Sequence, residues 1–167
     1  KSVGLPTRIT NDANAATLGE VKFGAGKRYS SAIMLTLGTG VGGGIVIDGK
    51  FSLGNKGGGG ELGHIVVEVK GGVQCTCGRK GCLETYASAS GLIRMTKEAM
   101  KNNRGSQMWD IVDDKIDNVN GKTAWDGYEL GDQTAIEVIN QYIRYLGEGI
   151  LNYCNILIIT KSRNPNN

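Results

Sequence analysis

Three of the chain's four cysteines fall in one short run, Cys75-Thr76-Cys77-Gly78-Arg79-Lys80-Gly81-Cys82, and its single histidine, His64, precedes them. Three thiolates and an imidazole match the donors of a closed tetrahedral zinc site, which leaves no position for water and is therefore structural. Gly78 and Gly81 free the loop to fold back so that the sulfurs converge. Two other readings stay open for these thiols. A disulfide framework needs an oxidising compartment and leaves one of three clustered cysteines unpaired; reduced bystander thiols are the other. The spacing favours zinc. Cys154, in an amphipathic stretch, reads as a small core residue.

A second set of residues suits the transfer of a phosphoryl group to a hydroxyl. That reaction needs a base near the hydroxyl, donors for developing charge, and Mg²⁺ with the nucleotide. Asp12 is a candidate base at a predicted helix start, although alone it reads as an N-cap. Asn11 beside it offers a donor and an acceptor suited to a sugar hydroxyl. Glu61 lies three residues before His64 and Glu84 two residues after Cys82, so a zinc-held loop would fix both. Taken singly, each is an ordinary solvated acid. A metal-bound histidine donates its free N–H to an acceptor, and a sugar hydroxyl can be that acceptor.

The third candidate is the turn Leu37-Gly38-Thr39-Gly40-Val41-Gly42-Gly43-Gly44. It meets the GxGxxG pattern formally, but a dinucleotide-binding turn must open a helix, and here Ile45–Ile47 continues as strand. What remains is a tight strand–turn–strand whose backbone N–H groups can face anionic oxygen, with the Thr39 hydroxyl as a further donor. An ordinary glycine-rich hairpin is the plain alternative.

The elements that must position these groups follow from periodicity. Asn11-Asp12 caps a helix over Ala13–Val21, after a short strand at Thr7–Thr10. Ala32–Leu37 and Gly43–Ile47 read as strands, and Asp48-Gly49 as a hairpin turn into Lys50–Leu53. Ile65–Val69 is expected to be a further strand. Glu84–Lys101 has helical composition, with Leu92, Ile93, Met95, Ala99 and Met100 apolar, and Asn102–Leu130 should hold a short helix and a loop. The clearest helix is Gln133–Tyr153, with Ala135, Ile139, Tyr142, Ile143, Leu146, Ile150 and Tyr153 on one face. Ile156–Thr160 resembles the start of a strand, ahead of the polar tail 161–167. Strands ahead of helices indicate an α/β or α+β fold.

Composition sets the bounds. Of 167 residues, 40% are apolar, 21% charged and 6% aromatic, values ordinary for a globular domain. The net charge of +3 is mild and the basic residues are scattered among acids, which argues against a nucleic-acid surface. No apolar run is long enough to span a bilayer and no secretory pattern opens the chain, so a cytoplasmic location is expected. The start at Lys1, without Met, suggests residues lost upstream. Glycine is the outlier: there are 27, and many of them cluster at Gly38–Gly44 and Gly54–Gly63. Such clusters suggest positive φ or close approach of the backbone to a ligand.

Together, Asn11-Asp12-Ala13-Asn14-Ala15-Ala16, Leu37–Gly44, Gly60-Glu61-Leu62-Gly63-His64 and Cys75–Glu84 resemble, in order and spacing, the ROK family of repressors, open reading frames and kinases. Looser similarity runs to about Leu157. The resemblance implies an actin-like, hexokinase-like ATPase fold, here incomplete and essentially the larger lobe with its zinc-binding loop, over residues 1–160. It implies Asp12 as base on the sugar 6-hydroxyl and Asn11, Asp12, Glu61, His64 and Glu84 as sugar ligands. Gly38, Thr39 and Gly40 become a phosphate loop, and His64, Cys75, Cys77 and Cys82 ligands of structural Zn²⁺. The implied partners are a hexose, glucose foremost, and ATP with Mg²⁺; family members often dimerise, so a homodimer is implied too. The expected activity is that of a glucokinase-type enzyme, with the sugar-sensing domain of a repressor as the alternative. Two family segments are missing, the amino-terminal DxGGT-type phosphate strand and the glycine turn after the final strand, so little or no activity is expected of this chain alone.

Overall fold

The computed structural model describes Gly4, residues 10–55 and residues 58–157. Its first half is a sheet with a helix on one face. Helix α1 (Asp12–Phe23) starts where the sequence predicts, but its cap is Asn11, whose side-chain oxygen accepts from the Ala13 and Asn14 N–H groups. Strands β1 (Ala32–Leu37), β2 (Val41–Ile47) and β3 (Lys50–Phe51) follow, antiparallel and in the order β1-β2-β3. Asp48 and Gly49 take φ of 48° and 73°, as a two-residue hairpin turn between twisted strands demands. The predicted third strand is shorter than Lys50–Leu53, and the second begins two residues earlier, at Val41.

Strand β2 explains part of the glycine excess. A Cβ on Gly44 would lie 2.3 Å from the Thr17 hydroxyl of α1, and one on Gly42 would lie 2.9 Å from the Ala13 methyl. On the opposite face, a Cβ on Gly43 would lie 2.4 Å from a Leu62 methyl. The close approach expected of these glycines is thus to the chain's own elements. Gly44→Ala is expected to destabilise the protein by about 1–3 kcal/mol, the usual scale for overpacking, measured as a lowered urea midpoint at unchanged m.

The other sheet face covers a core of Val41, Leu62, Leu83, Ala87 and Tyr153. Beyond it lies a helical layer of α2 (Glu84–Ala87), α3 (Ala89–Asn102), α4 (Met108–Ile111), α5 (Thr123–Glu129) and α6 (Gln133–Leu157). These helices bury a second core around Met95, Met100, Met108, Trp109, Val138 and Ile139. Helix α6 joins the two, because Tyr153 at its far end packs under the sheet while Ala135, Val138 and Ile139 face the helices. No helix among the described residues is long and apolar enough to cross a membrane.

Several expectations need correcting. Ile65–Val69 forms no strand; its ladder is a single bridge between Val66 and Cys82. Its partner is the turning cysteine loop, where Gly78 and Gly81 sit at φ of 89° and 78°, too curved for a longer ladder. The stretch Glu84–Lys101 is two helices, broken at buried Ser88, whose extended backbone and hydroxyl cap α3. Ile143 and Ile150 are 51% and 44% exposed, because the buried stripe of α6 runs instead through Val138, Ile139, Gly149 and Tyr153. Cys154 is exposed, next to buried Tyr153 but on another side of the helix. Ile156 and Leu157 end α6 rather than open a strand. The rest of that predicted strand, and Thr7–Ile9 of the first, lie outside the described residues.

Candidate functional site

The cysteine loop closes on His64. Cys75 Sγ lies 3.5 Å from His64 Nδ1, Cys77 Sγ lies 3.6 Å from Cys82 Sγ, and all four donor atoms fall within 4.8 Å of one another. A tetrahedron with zinc–sulfur bonds of about 2.3 Å has edges of about 3.8 Å, so the spacing is that of ligands around one ion. The donor set therefore fits zinc. Cys75 and Cys82 are buried and Cys77 is exposed. Backbone bonds shape the loop independently: Cys75 N–H donates to the Arg79 carbonyl at 2.8 Å and Gly81 N–H to the Val73 carbonyl at 2.9 Å.

Two contacts that the sequence reading missed hold the histidine turn, Leu62–His64. The Arg79 guanidinium donates to the His64 carbonyl, and the Tyr153 hydroxyl, reaching across from α6, donates to the Leu62 carbonyl. Burial pushes the Tyr153 phenol up to about 12, so it stays protonated as a donor throughout the neutral range. The helical period marks Tyr153 as a core residue, but nothing in it reveals where the hydroxyl goes.

With Nδ1 facing the sulfurs, His64 Nε2 lies toward Glu61, 3.9 Å from its Oε2. Glu61, Asn11 and Asp12 share the rim of a cavity of about 60 Å³, walled by Gly43 and Gly60. Gly60 adopts φ of 90°, which turns the chain toward Glu61. Asp12 is exposed; its Oδ1 accepts from the Ala13 N–H at 2.8 Å. The Asn11 amide oxygen is occupied by the helix cap, leaving its NH₂ as the group available to a ligand.

Thr39, Gly40 and Glu84 lie elsewhere, along a separate cleft of about 380 Å³ that reaches Arg94 of α3. The β1–β2 turn is tight, with the Gly38 N–H donating to the Gly40 carbonyl at 3.0 Å. Gly38 and Thr39 are exposed. Glu84 Oε2 accepts from the Val41 N–H at 3.0 Å, so one oxygen of this carboxylate is held on the glycine hairpin. Asn11, Asp12 and Glu61 thus line one cavity, with His64 beside Glu61, and Thr39, Gly40 and Glu84 line a second cleft at the hairpin.

A family model described as the ROK family matches residues 1–161. The chain belongs to the ROK family. A glucokinase of Halalkalibacterium halodurans is 42% identical over 92% of this chain and 46% of its own length. A xylose repressor of Caldicellulosiruptor bescii is 35% identical over 91% of this chain and 37% of its own. A crystal structure of a ROK family glucokinase from Streptomyces griseus, in complex with glucose and AMPPNP, superposes with a TM-score of 0.82 at 38% identity. That match covers 92% of this chain and 50% of that one. The ROK chain described here therefore has a partial sugar-kinase fold of mixed helix and strand. It spans about half the length of the glucokinases it matches.

Proposed function

We propose that this chain is the sugar-presenting part of a ROK kinase that transfers a phosphoryl group from ATP to the 6-hydroxyl of an aldohexose, glucose foremost. The observation that carries the reading is the convergence of Asn11, Asp12 and Glu61 on one cavity, next to a histidine that clusters with three cysteines. Asp12 takes the proton of the attacking hydroxyl, and the Asn11 NH₂ donates to the sugar. Glu61 and the His64 Nε2–H, spaced too widely to bond each other, offer an acceptor and a donor to hydroxyls set between them. Glu84 holds the sugar from the hairpin side. Gly38, Thr39 and Gly40 present N–H and hydroxyl donors to the phosphates of ATP, whose Mg²⁺ neutralises charge on the transferred group. Zinc on His64, Cys75, Cys77 and Cys82 would be structural, closing the loop and fixing the imidazole tautomer without a reacting water.

The alternative is the sugar-sensing domain of a ROK repressor, favoured by the match to a xylose repressor over the same segment. Asp12 separates the two, since a sensor has no use for a base. Glucose is titrated calorimetrically into the protein that carries this segment, and phosphoryl transfer from ATP is followed in a coupled assay. Binding with transfer is expected. Binding without transfer favours the repressor, and the absence of both sinks the sugar-site reading.

A further inference from the structure

The glycine hairpin is gripped from both sides by one short stretch of chain. Glu84, two residues after the metal-cluster residue Cys82, accepts from the Val41 N–H at 3.0 Å. Ala89, the first residue of α3, donates its N–H to the Gly38 carbonyl at 2.8 Å. The elbow between α2 and α3 thus fixes the hairpin at its entry and its exit. Leu83, wholly buried between Cys82 and Glu84, ties the elbow to the histidine side through its N–H, which donates to the Ile65 carbonyl at 2.8 Å.

Gly40 supplies a second, independent observation. A Cβ built there would lie 2.4 Å from Glu84 Oε2 and 3.2 Å from its carboxyl carbon. Its φ lies outside the range that disfavours side chains, so backbone conformation does not require glycine at this position. The absent side chain makes room for the carboxylate. Glu84 Oε1 has no partner among the described residues and remains available to a ligand.

We propose that Glu84 is a positioning residue that couples the sugar to the phosphate hairpin, one oxygen holding the Val41 N–H while the other receives a hexose hydroxyl. This inference rests on the sugar reading above. A hydroxyl donated to Oε1 restrains a half-exposed carboxylate and so steadies the bond that Oε2 makes. Sugar binding thereby stiffens the hairpin that must hold the phosphoryl donor, and by linkage each ligand favours the other.

The test is amide hydrogen exchange at Val41 in the zinc-loaded protein. Glu84→Ala removes the acceptor and Gly40→Ala pushes it aside, so each is expected to speed exchange by about tenfold, the order for losing one hydrogen bond to a charged group. The double variant is expected to exchange no faster than either single one, because both remove the same bond. Saturating glucose is expected to slow Val41 exchange in the wild type and to leave it unchanged in Glu84→Ala. Multiplicative single-variant effects, or glucose binding by calorimetry without a change at Val41, overturn the coupling alone. Absence of glucose binding overturns the sugar reading and the coupling together, even where the variant cycle closes on one bond.

Discussion

Replacing Cys82 with serine is expected to strip zinc from the protein and to loosen the whole histidine turn. Cys82 is fully buried, pairs with Val66 in one of the two bridges of its segment, and directly precedes the buried Leu83. Backbone bonds such as Val67 N–H to the Gly81 carbonyl and Gly81 N–H to the Val73 carbonyl shape the loop without the ion, so its loss releases chiefly the sulfurs from the His64 ring. The expected penalty is roughly 3 kcal/mol or more, a fraction of the ~10–16 kcal/mol apparent binding free energy of structural zinc in small domains. Metal analysis after dialysis and the thermal midpoint check it. Cys154→Ser, at an exposed thiol outside the cluster, is the matched control and should keep both the metal and the midpoint.

The same site predicts the direction of a pH effect. In the metal-free cluster, burial and the neighbouring thiols push Cys82 up to about 12, so loading at neutral pH must displace its proton. The Arg79 backbone N–H, with smaller help from Cys75 and Cys82, holds Cys77 down to about 6, so it is largely a thiolate at neutral pH. Zinc affinity should therefore weaken further as pH falls through about 6, where Cys77 takes up a proton as well. Competition with a chelator on either side of that value measures it. Retention that is insensitive to acid would contradict the thiolate cluster.

In the protein that carries this segment, Asp12→Asn is expected to cripple transfer while sparing both fold and sugar binding. The helix cap belongs to Asn11, and the side-chain oxygen of asparagine at 12 can still accept from the Ala13 N–H, so α1 stays intact. Only the proton acceptor is lost. General-base removal lowers kcat by about 10²–10⁴-fold, and KM for the sugar should stay within a few-fold of wild type. Retention of transfer within tenfold would remove Asp12 from the proposed mechanism. Asn11→Ala is a poorer probe, because it also removes the cap, at about 1 kcal/mol.

Much of the site is legible because it is local. The spacing of Cys75, Cys77 and Cys82 and the strand–turn–strand around Gly38–Gly40 are short-range patterns, and β1 spans the six residues that its apolar run predicts. Contacts between distant segments are not legible. Nothing near Tyr153 in the sequence points to the Leu62 carbonyl, and no pattern pairs Glu84 with Val41. The expected strand at Ile65–Val69 failed for a related reason. Local β propensity is satisfied only when a straight partner exists, and here the neighbour is a loop bent by two glycines at positive φ. The break at Ser88 is not read from the sequence, although its hydroxyl accepts locally from the Gly91 N–H; the Ala89 N–H beside it goes to the distant Gly38 carbonyl.

The run of bare glycines in β2 acts as a spacer one main chain thick, with α1 and Asp12 on one side and the turn carrying Glu61 and His64 on the other. Backbone in a ladder has no rotamers to change, so the gap it sets cannot be retuned by swapping one side chain for another of different volume. Any drift toward a bulkier or smaller ligand in relatives of this protein must then come from the rims of the gap, while the spacer itself tolerates neither growth nor shrinkage.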